Sequence, residues 1–341
     1  MIDRGLAERL AVLVAGGPGS VADAPADLGP RCAHARERVV EATGLEPLSP
    51  LPAPEWVDRA GWSRANLVTL GSLIEPLEAT VGDRLGAMRP AARAVTGLVA
   101  TAEAGALLGF VGRRVLGQYD VALLDAAVAP RLLFVGPNLA EVAETLGAPA
   151  DDLLSWVALH EVTHAVQFAA VPWLRGHLAG LLRELLAGLQ LRVKPDALAR
   201  LRGGLDPRAL LDAVREGGLA AVVVGPERQG LLERVQTTMA LVEGHAEWTM
   251  DAAAEGFVGS LARLRSGLDQ RRATRPPALR LLDRLLGLDL KLRQYAEGRR
   301  FCDAVVRAEG PETLRRAWRS PEDVPSAAEL RAPAAWLARV A

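Results

Sequence analysis

The sequence predicts a mainly α protein, an α+β fold with no more than a small sheet. Half of its 341 residues are apolar, which is enough to build a sizeable core. Leu, Val and Ala recur at three- and four-residue spacing over much of the chain, as in amphipathic helices, and Gly and Pro interrupt these runs. Strand signals are few. We therefore expect helices packed on helices, with a minor β element.

Individual elements follow from the same patterns. Helical spacing is clearest over 173–191, 230–254 and 277–290, and the Gly-Gly and Pro of 202–207 predict a break between helices. The best strand candidate is the apolar run 131–136, which Gly-Pro-Asn ends. A second candidate, 219–224, is equally consistent with a helix end.

Chain length permits one large domain or two small ones. We predict a single domain over residues 1–341. The Pro-rich loop 44–54 leaves open a separate N-terminal helical subdomain over residues 1–50.

Charge and cysteine content argue against two classes of protein, those that bind nucleic acids and those built on disulfides. The chain has 40 basic and 41 acidic residues, and this balance argues against a nucleic-acid partner, which usually requires a basic excess. Cys32 and Cys302 form no CxxC pair, so we predict two buried, inert thiols rather than a disulfide framework. A reducing, cytoplasmic location fits this usage.

One apolar segment raises the alternative of a membrane-associated protein. Residues 94–112 would nearly span a bilayer, but Glu103 lies at their middle, where a charge is costly. Gly105 and Gly109 form a GxxxG spacing, which also permits close packing between helices of a soluble core. We expect a buried helix and no stable membrane insertion.

The segment Leu-His-Glu-Val-Thr-His-Ala at 159–165 matches H-E-x-x-H. Four residues make about one helical turn, so His160 and His164 project from one face and can share a metal ion. Two neutral imidazoles are suitable ligands for Zn²⁺. Glu161 lies beside the first ligand, where it can act as general base towards water activated by the metal. Two solvated helix histidines are the alternative interpretation.

A zinc site of this kind needs a third protein ligand. A third histidine shortly after the motif is absent, because Gln167 and Ala170 occupy the positions of an extended H-E-x-x-H-x-x-G-x-x-H pattern. The ligand must then come from elsewhere in the chain. The helical segment 241–247 is the best source, since it contains two glutamates and His245.

Within that segment we favour Glu243, because Gly244 beside it has no side chain to crowd the metal. Glu247 lies one turn further along the same face and would orient an imidazole from behind the ligands. Glu247 as the ligand itself, with Asp251 as its partner, is the alternative. Both carboxylates also fit a merely solvated helix face.

Hydrolysis further requires a donor for the negative charge that develops on the attacked carbonyl. Four residues qualify by type, and the sequence does not choose among them: Tyr119, Tyr295, His245 and Arg299. For each tyrosine, packing at a helix end is the simpler interpretation.

Several motifs together resemble the zincin-like metallopeptidase type 2 family, often labelled as associated with biosynthesis of a deazaflavin coenzyme. The sequence shows no Gly-rich phosphate loop in a strand-to-helix setting. One departure is Gly136, where we expect a bulkier residue. The resemblance extends over nearly the whole chain, and the segments that carry it are 114–120, 133–138, 160–168, 243–247, 294–301, 318–322 and 333–336.

The resemblance implies a zincin-like, mostly helical fold with an H-E-x-x-H helix and a later Glu-bearing helix. It also implies the gluzincin ligand set of two His and one Glu. The Glu-Gly-x-Ala pattern is similar to that of helical aminopeptidases, where the Glu before Gly is the ligand, and this supports Glu243. The resemblance specifies no substrate.

The leading hypothesis is a cytoplasmic zinc-dependent hydrolase, a metallopeptidase of the gluzincin type that cleaves a peptide or another amide bond. The alternative is a non-catalytic helical scaffold or interaction protein that keeps zinc for structure. Oligomeric state does not follow from the sequence.

Overall fold

The protein is described from a computed structural model, which covers residues 3–17, 23–69, 71, 90–186, 190–193, 220–223, 229–273 and 288–341. Helices dominate, and the predicted mainly α fold with a small sheet is confirmed. The larger helices are α1 (Arg4–Val14), α2 (Leu28–Thr43), α3 (59–69), α4 (Pro90–Gly112), α5 (Gly136–Leu146), α6 (Ala150–Ala170), α7 (Pro172–Leu186), α8 (Gln229–Ala253), α9 (Leu261–Ala273) and α10 (Leu288–Glu309).

Short helices complete the C-terminal region. They are α11 (Pro311–Leu314), α12 (Ala327–Arg331) and α13 (Pro333–Val340), with 3₁₀ turns at Arg315–Trp318 and Pro321–Asp323.

The strands form two separate small sheets. The first has the order β1-β3-β2, with β1 (Pro54–Val57) parallel and β2 (Gly117–Asp120) antiparallel to the central β3 (Arg131–Val135). The second pairs β4 (Gln190–Val193) antiparallel with β5 (Ala220–Val223). The strand predicted over 131–136 is confirmed, and 219–224 contains a strand rather than a helix end.

Strand β3 is covered on both faces, which explains its unbroken apolar sequence. Leu132 and Phe134 belong to the main core, together with residues of α2, α6, α8 and α10. Leu133 and Val135 instead join a second cluster with α1, α3 and α4. The strand therefore joins two layers of helices.

Helix α6, which carries the H-E-x-x-H motif, is buried along most of its length. Asp151 and Asp152 lie in its first turn, where acidic side chains favour the helix dipole. It ends at Ala170, because Pro172 disfavours helical geometry at Val171. Its central position buries His164 and leaves His160 only partly exposed.

The GxxxG segment of α4 packs against α1. A Cβ atom on Gly105 would lie 2.6 Å from the carbonyl oxygen of Ala7, and one on Gly109 would meet that of Ala11. The glycines thus serve helix packing within the protein, as expected. Among the described residues, no helix is both long and apolar enough to cross a membrane.

Helices α8 and α10 cross at a contact between two glycines. A Cβ on Gly244 would overlap the backbone of Gly298 and Arg299, and a Cβ on Gly298 would overlap the carbonyl of Ala240. The expectation that Gly244 leaves space beside a metal is therefore wrong. The space is filled by the α10 backbone, and Gly244 sets the distance between two helices.

Some local features depend on tertiary contacts. The helix predicted over 173–191 ends at Leu186, and strand β4 begins at Gln190. Strands β1 and β2 do not follow from the sequence pattern, because each has only four residues and depends on pairing with β3. The predicted break at 202–207 and most of the predicted helix 277–290 lie outside the described residues.

The unexpected Gly136 has a packing reason. A Cβ atom at this position would lie 2.6 Å from Nε1 of Trp56. The indole of a β1 residue therefore occupies the space that a bulkier residue would need.

The two cysteines are both buried and free, as predicted. Burial raises the pKa of the Cys32 thiol to about 12, and it also raises the pKa of Cys302. Neither thiol is therefore ionised near neutral pH.

We predict that Gly298→Ala destabilises the protein, because the added methyl group forces α8 and α10 apart. Overpacking of this kind costs about 1–3 kcal/mol in free energy of unfolding. Urea denaturation measures the loss as a lower midpoint at unchanged slope.

The matched control is Gly176→Ala on α7, where a Cβ atom meets nothing within 4 Å. Alanine is the better helix former, so this change should stabilise by about 0.5–1 kcal/mol. Equal effects of the two substitutions would contradict the proposed close crossing.

Candidate metal centre

The two motif histidines lie one turn apart on α6 and face the same point. Their Nε2 atoms are 3.3 Å apart, and their rings meet edge to face with centroids separated by 4.7 Å. The helical spacing alone accounts for this convergence.

Glu243 of α8 completes the group. Its Oε2 atom lies 3.5 Å from Nε2 of His164 and 4.0 Å from Nε2 of His160. Among the described residues, these three are the one set of His, Cys, Asp or Glu side chains whose candidate ligand atoms converge, all within 4.8 Å of one another.

The spacing of these atoms fits a zinc ion. Tetrahedral Zn²⁺ with ligands at about 2.0–2.1 Å requires ligand atoms about 3.3 Å apart. The observed separations of 3.3 and 3.5 Å match this value, and the third, 4.0 Å, is slightly longer. Two imidazole nitrogens and one carboxylate oxygen are also a donor set that zinc accepts.

The surrounding charges favour a cation at the same point. Burial opposes a charge on His164, but the Glu243 carboxylate and, to a smaller extent, Glu161 outweigh it and raise the pKa of His164 to about 9. The field of these two carboxylates therefore stabilises positive charge where the three ligand atoms meet.

Glu247 and Asp251 occupy different positions from Glu243. Glu247 lines the cleft one turn along α8 but does not join the converging group. Asp251 pairs with Arg265 and Arg299, so its observed partners are guanidinium groups rather than Glu247.

The Glu161 carboxylate is almost fully buried beside the centre. The backbone N–H of Tyr119 in β2 donates to Oε2 of Glu161 at 2.7 Å. Burial, opposed by His164 and by this hydrogen bond, raises the pKa of Glu161 to about 7. A carboxylate of this kind can both accept and release a proton near neutral pH.

Strand β2 approaches Glu161 closely because Gly117 has no side chain. A Cβ atom there would lie 2.8 Å from Cγ of Glu161 and 2.7 Å from Cγ1 of Val157. The edge strand and the motif helix thus confine the carboxylate between them.

Outer contacts hold the two histidines differently. Nδ1 of His164 lies 2.9 Å from Oε1 of Gln167, a fully buried side chain. Nδ1 of His160 lies 3.2 Å from Sδ of Met250. Both imidazoles therefore turn Nε2 towards Glu243.

His245 is not at the metal centre. It is 1% exposed and packs edge to face on Trp318, with ring centroids 5.2 Å apart. Burial and the nearby His164 lower its pKa to about 3, so the ring is neutral. Its ring nitrogen Nδ1 lies 3.0 Å from Nε2 of Gln167.

A cleft of about 380 Å³ opens in front of His160 and Glu161. Its walls combine apolar and charged side chains. The lining residues include Leu116, Trp156, Val157, Met250, Arg265 and Arg299.

The comparisons with known proteins agree with this geometry. The family model described as zincin-like metallopeptidase matches residues 2–337, nearly the whole chain. The chain belongs to the zincin-like metallopeptidase family. With its His-His-Glu group, this membership indicates a zinc hydrolase at the level of the family.

A solved structure shares the fold of this zincin-like chain. It is a protein from Chloroflexus aurantiacus, described as a candidate hydrolase with a novel fold. The two chains are 29% identical, the match covers 99% of this chain and 98% of the other, and the TM-score is 0.73. No curated protein matches the sequence.

Of the four candidate oxyanion donors in this zincin-like protein, Arg299 lies in the cleft wall. Its guanidinium already pairs with Asp251 and Asp303 and donates to the Glu247 carbonyl at 2.8 Å. The interpretation of Tyr119 as a residue at a helix end is wrong, since it lies in β2. The side chain of Tyr295 lies outside the described residues.

Tyr119 also has little tendency to ionise. Its ring packs on Phe168, with centroids 5.7 Å apart, and burial raises the pKa of its phenol to about 12.

Sequence reasoning missed the roles of Gln167, Met250 and Gly117. In the sequence, Gln167 is noticed only because it occupies the position where the extended pattern H-E-x-x-H-x-x-G-x-x-H has glycine. Its spacing of three residues from His164 is a usable signal, since it places both side chains on one helix face. No comparable signal connects Gly117 or Met250 to the motif, because only folding brings them to it.

We predict that Glu243→Ala and Glu247→Ala affect metal content differently. Replacing the ligand Glu243 should weaken zinc binding strongly. The loss should exceed the factor of about 10–100 that is typical when a residue that only hydrogen-bonds to a ligand is removed. The Glu247 variant should retain about one zinc per chain, in line with a single site. Mass spectrometry of the purified proteins, with wild type and His160→Ala alongside, measures both. Zinc loss confined to Glu247→Ala would make Glu247 the ligand instead.

Proposed function

We propose that this protein is a zinc-dependent hydrolase that cleaves a peptide or another amide bond, with Glu161 as general base. In this proposal His160, His164 and Glu243 hold the metal. One observation carries it: three ligand atoms of suitable type converge at zinc spacing, and a buried carboxylate lies beside them at a cleft.

The metal and the protein contribute separate parts of the chemistry. Zinc bound at this centre supplies Lewis acidity, which polarises a carbonyl group and makes water more acidic. Glu161 accepts the proton of the attacking water and later delivers it to the leaving nitrogen. The Tyr119 N–H restrains one carboxylate oxygen, so the other can face the water.

The cleft supports a peptide-like substrate. Strand β2 lies at the edge of its sheet, and Gly117 of this strand lines the cleft next to Glu161. A strand edge is a surface on which an extended peptide backbone can pair. Trp156 and Met250 provide apolar contacts for its side chains. The description of the Chloroflexus relative as a candidate hydrolase is consistent with such a reaction.

We predict that Glu161→Gln retains zinc but loses turnover. The amide has nearly the same shape as the carboxylate and cannot accept the proton. The expected fall in rate is about 10²–10⁴-fold, the usual contribution of general acid–base catalysis. The measurement pairs zinc content with cleavage of a peptide library followed by mass spectrometry.

The control is Glu144→Gln, the same change at an exposed position of α5. It should leave both zinc content and turnover as in wild type. Unchanged turnover in Glu161→Gln would contradict the assigned base. A zinc-loaded wild type that cleaves no peptide or amide, but unfolds on metal removal, would favour the scaffold alternative.

A further inference from the structure

Gln167 is a fully buried glutamine, and all its polar atoms have partners in the protein interior. Nε2 lies 2.9 Å from the carbonyl oxygen of Val242 and 3.0 Å from Nδ1 of His245. Oε1 lies 2.9 Å from Nδ1 of His164. Because glutamine is mostly exposed in folded proteins, complete burial with every polar atom bonded points to a specific role for this amide.

The carbonyl of Val242 decides which way the amide points. A carbonyl oxygen can only accept a hydrogen bond, so the Gln167 atom facing it must be the NH₂ group. Oε1 therefore faces His164, and a rotated amide would place two oxygens against each other. The orientation thus follows from the chemistry of its hydrogen-bond partners.

This orientation selects one tautomer of His164. Because Oε1 of Gln167 only accepts, Nδ1 of His164 must carry the hydrogen. In the neutral imidazole, the form that a metal ion requires, Nε2 then carries the lone pair, and this atom lies 3.5 Å from Oε2 of Glu243 and 3.3 Å from Nε2 of His160. A neutral imidazole in this form is the one that can donate to a metal.

His245 supports the amide from the opposite side. Its Nδ1 atom accepts the second N–H of Gln167, and its ring is held between Trp248 and Trp318 at centroid distances of 5.8 and 5.2 Å. Val242 and His245 also flank Glu243 on α8. Gln167 therefore connects the helix that carries the histidines with the turn that carries the glutamate.

We propose that Gln167, locked by Val242 and His245, is a positioning residue that fixes the tautomer of His164 and its distance from Glu243. The inference rests on the proposed metal centre and adds to it a residue that strengthens zinc binding there. Loss of such an outer partner typically weakens metal binding by about 10–100-fold.

The test compares zinc dissociation constants of the full-length chain, measured by chelator competition. Gln167→Met keeps the approximate volume and removes both hydrogen-bonding functions, and it should weaken zinc binding by about 10–100-fold. The matched control is Thr163→Val. Thr163 is fully buried on the same helix, and among the described residues its hydroxyl bonds only to the Leu159 carbonyl, at 2.7 Å. Thr163→Val should lower the free energy of unfolding but change zinc affinity by no more than about threefold, well below the 10–100-fold loss expected for Gln167→Met.

The Gln167→Glu variant distinguishes the hydrogen bond that positions His164 from the packing of the side chain in the core. The carboxylate keeps an acceptor for Nδ1 of His164 but faces the Val242 carbonyl without a donor. It should restore zinc affinity at least about tenfold relative to Gln167→Met, the lower end of the same range, while its thermal midpoint falls below wild type. The visible spectrum of the Co²⁺ form, which reports ligand geometry, should change in the Met variant and not in Thr163→Val.

The outcomes separate this inference from the proposed function. Wild-type zinc affinity in Gln167→Met, or an equal loss in Thr163→Val, overturns the positioning role while the metal centre stands. A Glu variant that binds zinc more than about tenfold more weakly than wild type also overturns it, and this comparison holds even if the Met variant proves insoluble. A wild-type chain that binds no zinc overturns the metal centre and the positioning role together.

Discussion

The close pairing of α6 with α8 is the constraint on which the candidate centre depends. His160 and His164 converge through helix geometry alone, but a carboxylate from another helix must approach within 4.0 Å of both. Side chains alone cannot guarantee that approach, because a shift of about 1 Å is enough to disturb such a site. The helix backbones must be held, and the surrounding packing does this.

Two contacts position α8 from opposite sides. Gly244 lets the α10 backbone touch α8 directly behind Glu243, and the buried amide of Gln167 binds the adjacent Val242 carbonyl from the side of α6. Arg299, one residue after the glycine contact on α10, pairs with Asp251 further along α8. Asp251 and Arg299, which the sequence offers as a ligand's partner and as an oxyanion donor, thus pair with each other and help to align two helices.

A second arrangement determines the environment of Glu161, the proposed general base. Glu161 is buried by β2, and this is possible only because Gly117 lacks a side chain. The same strand offers the Tyr119 N–H, so burial and hydrogen bonding act on one carboxylate with opposite effects on its pKa. The small sheet therefore has a role out of proportion to its size: β3 joins the helical layers, and β2 borders the cleft.

Much of this organisation is encoded locally. The H-E-x-x-H spacing, the acidic first turn of α6 and Pro172 determine a helix with two imidazoles on one face, since a helical turn depends only on neighbouring residues. The apolar run of β3 and the long amphipathic α8 are similarly visible in the sequence. Tertiary structure alone decided which carboxylate of α8 faces the imidazoles, that Gly244 accommodates α10, and that Gln167 bridges two helices. These outcomes depend on how elements distant in the chain cross, and crossing geometry arises from many side-chain contacts at once rather than from any local pattern.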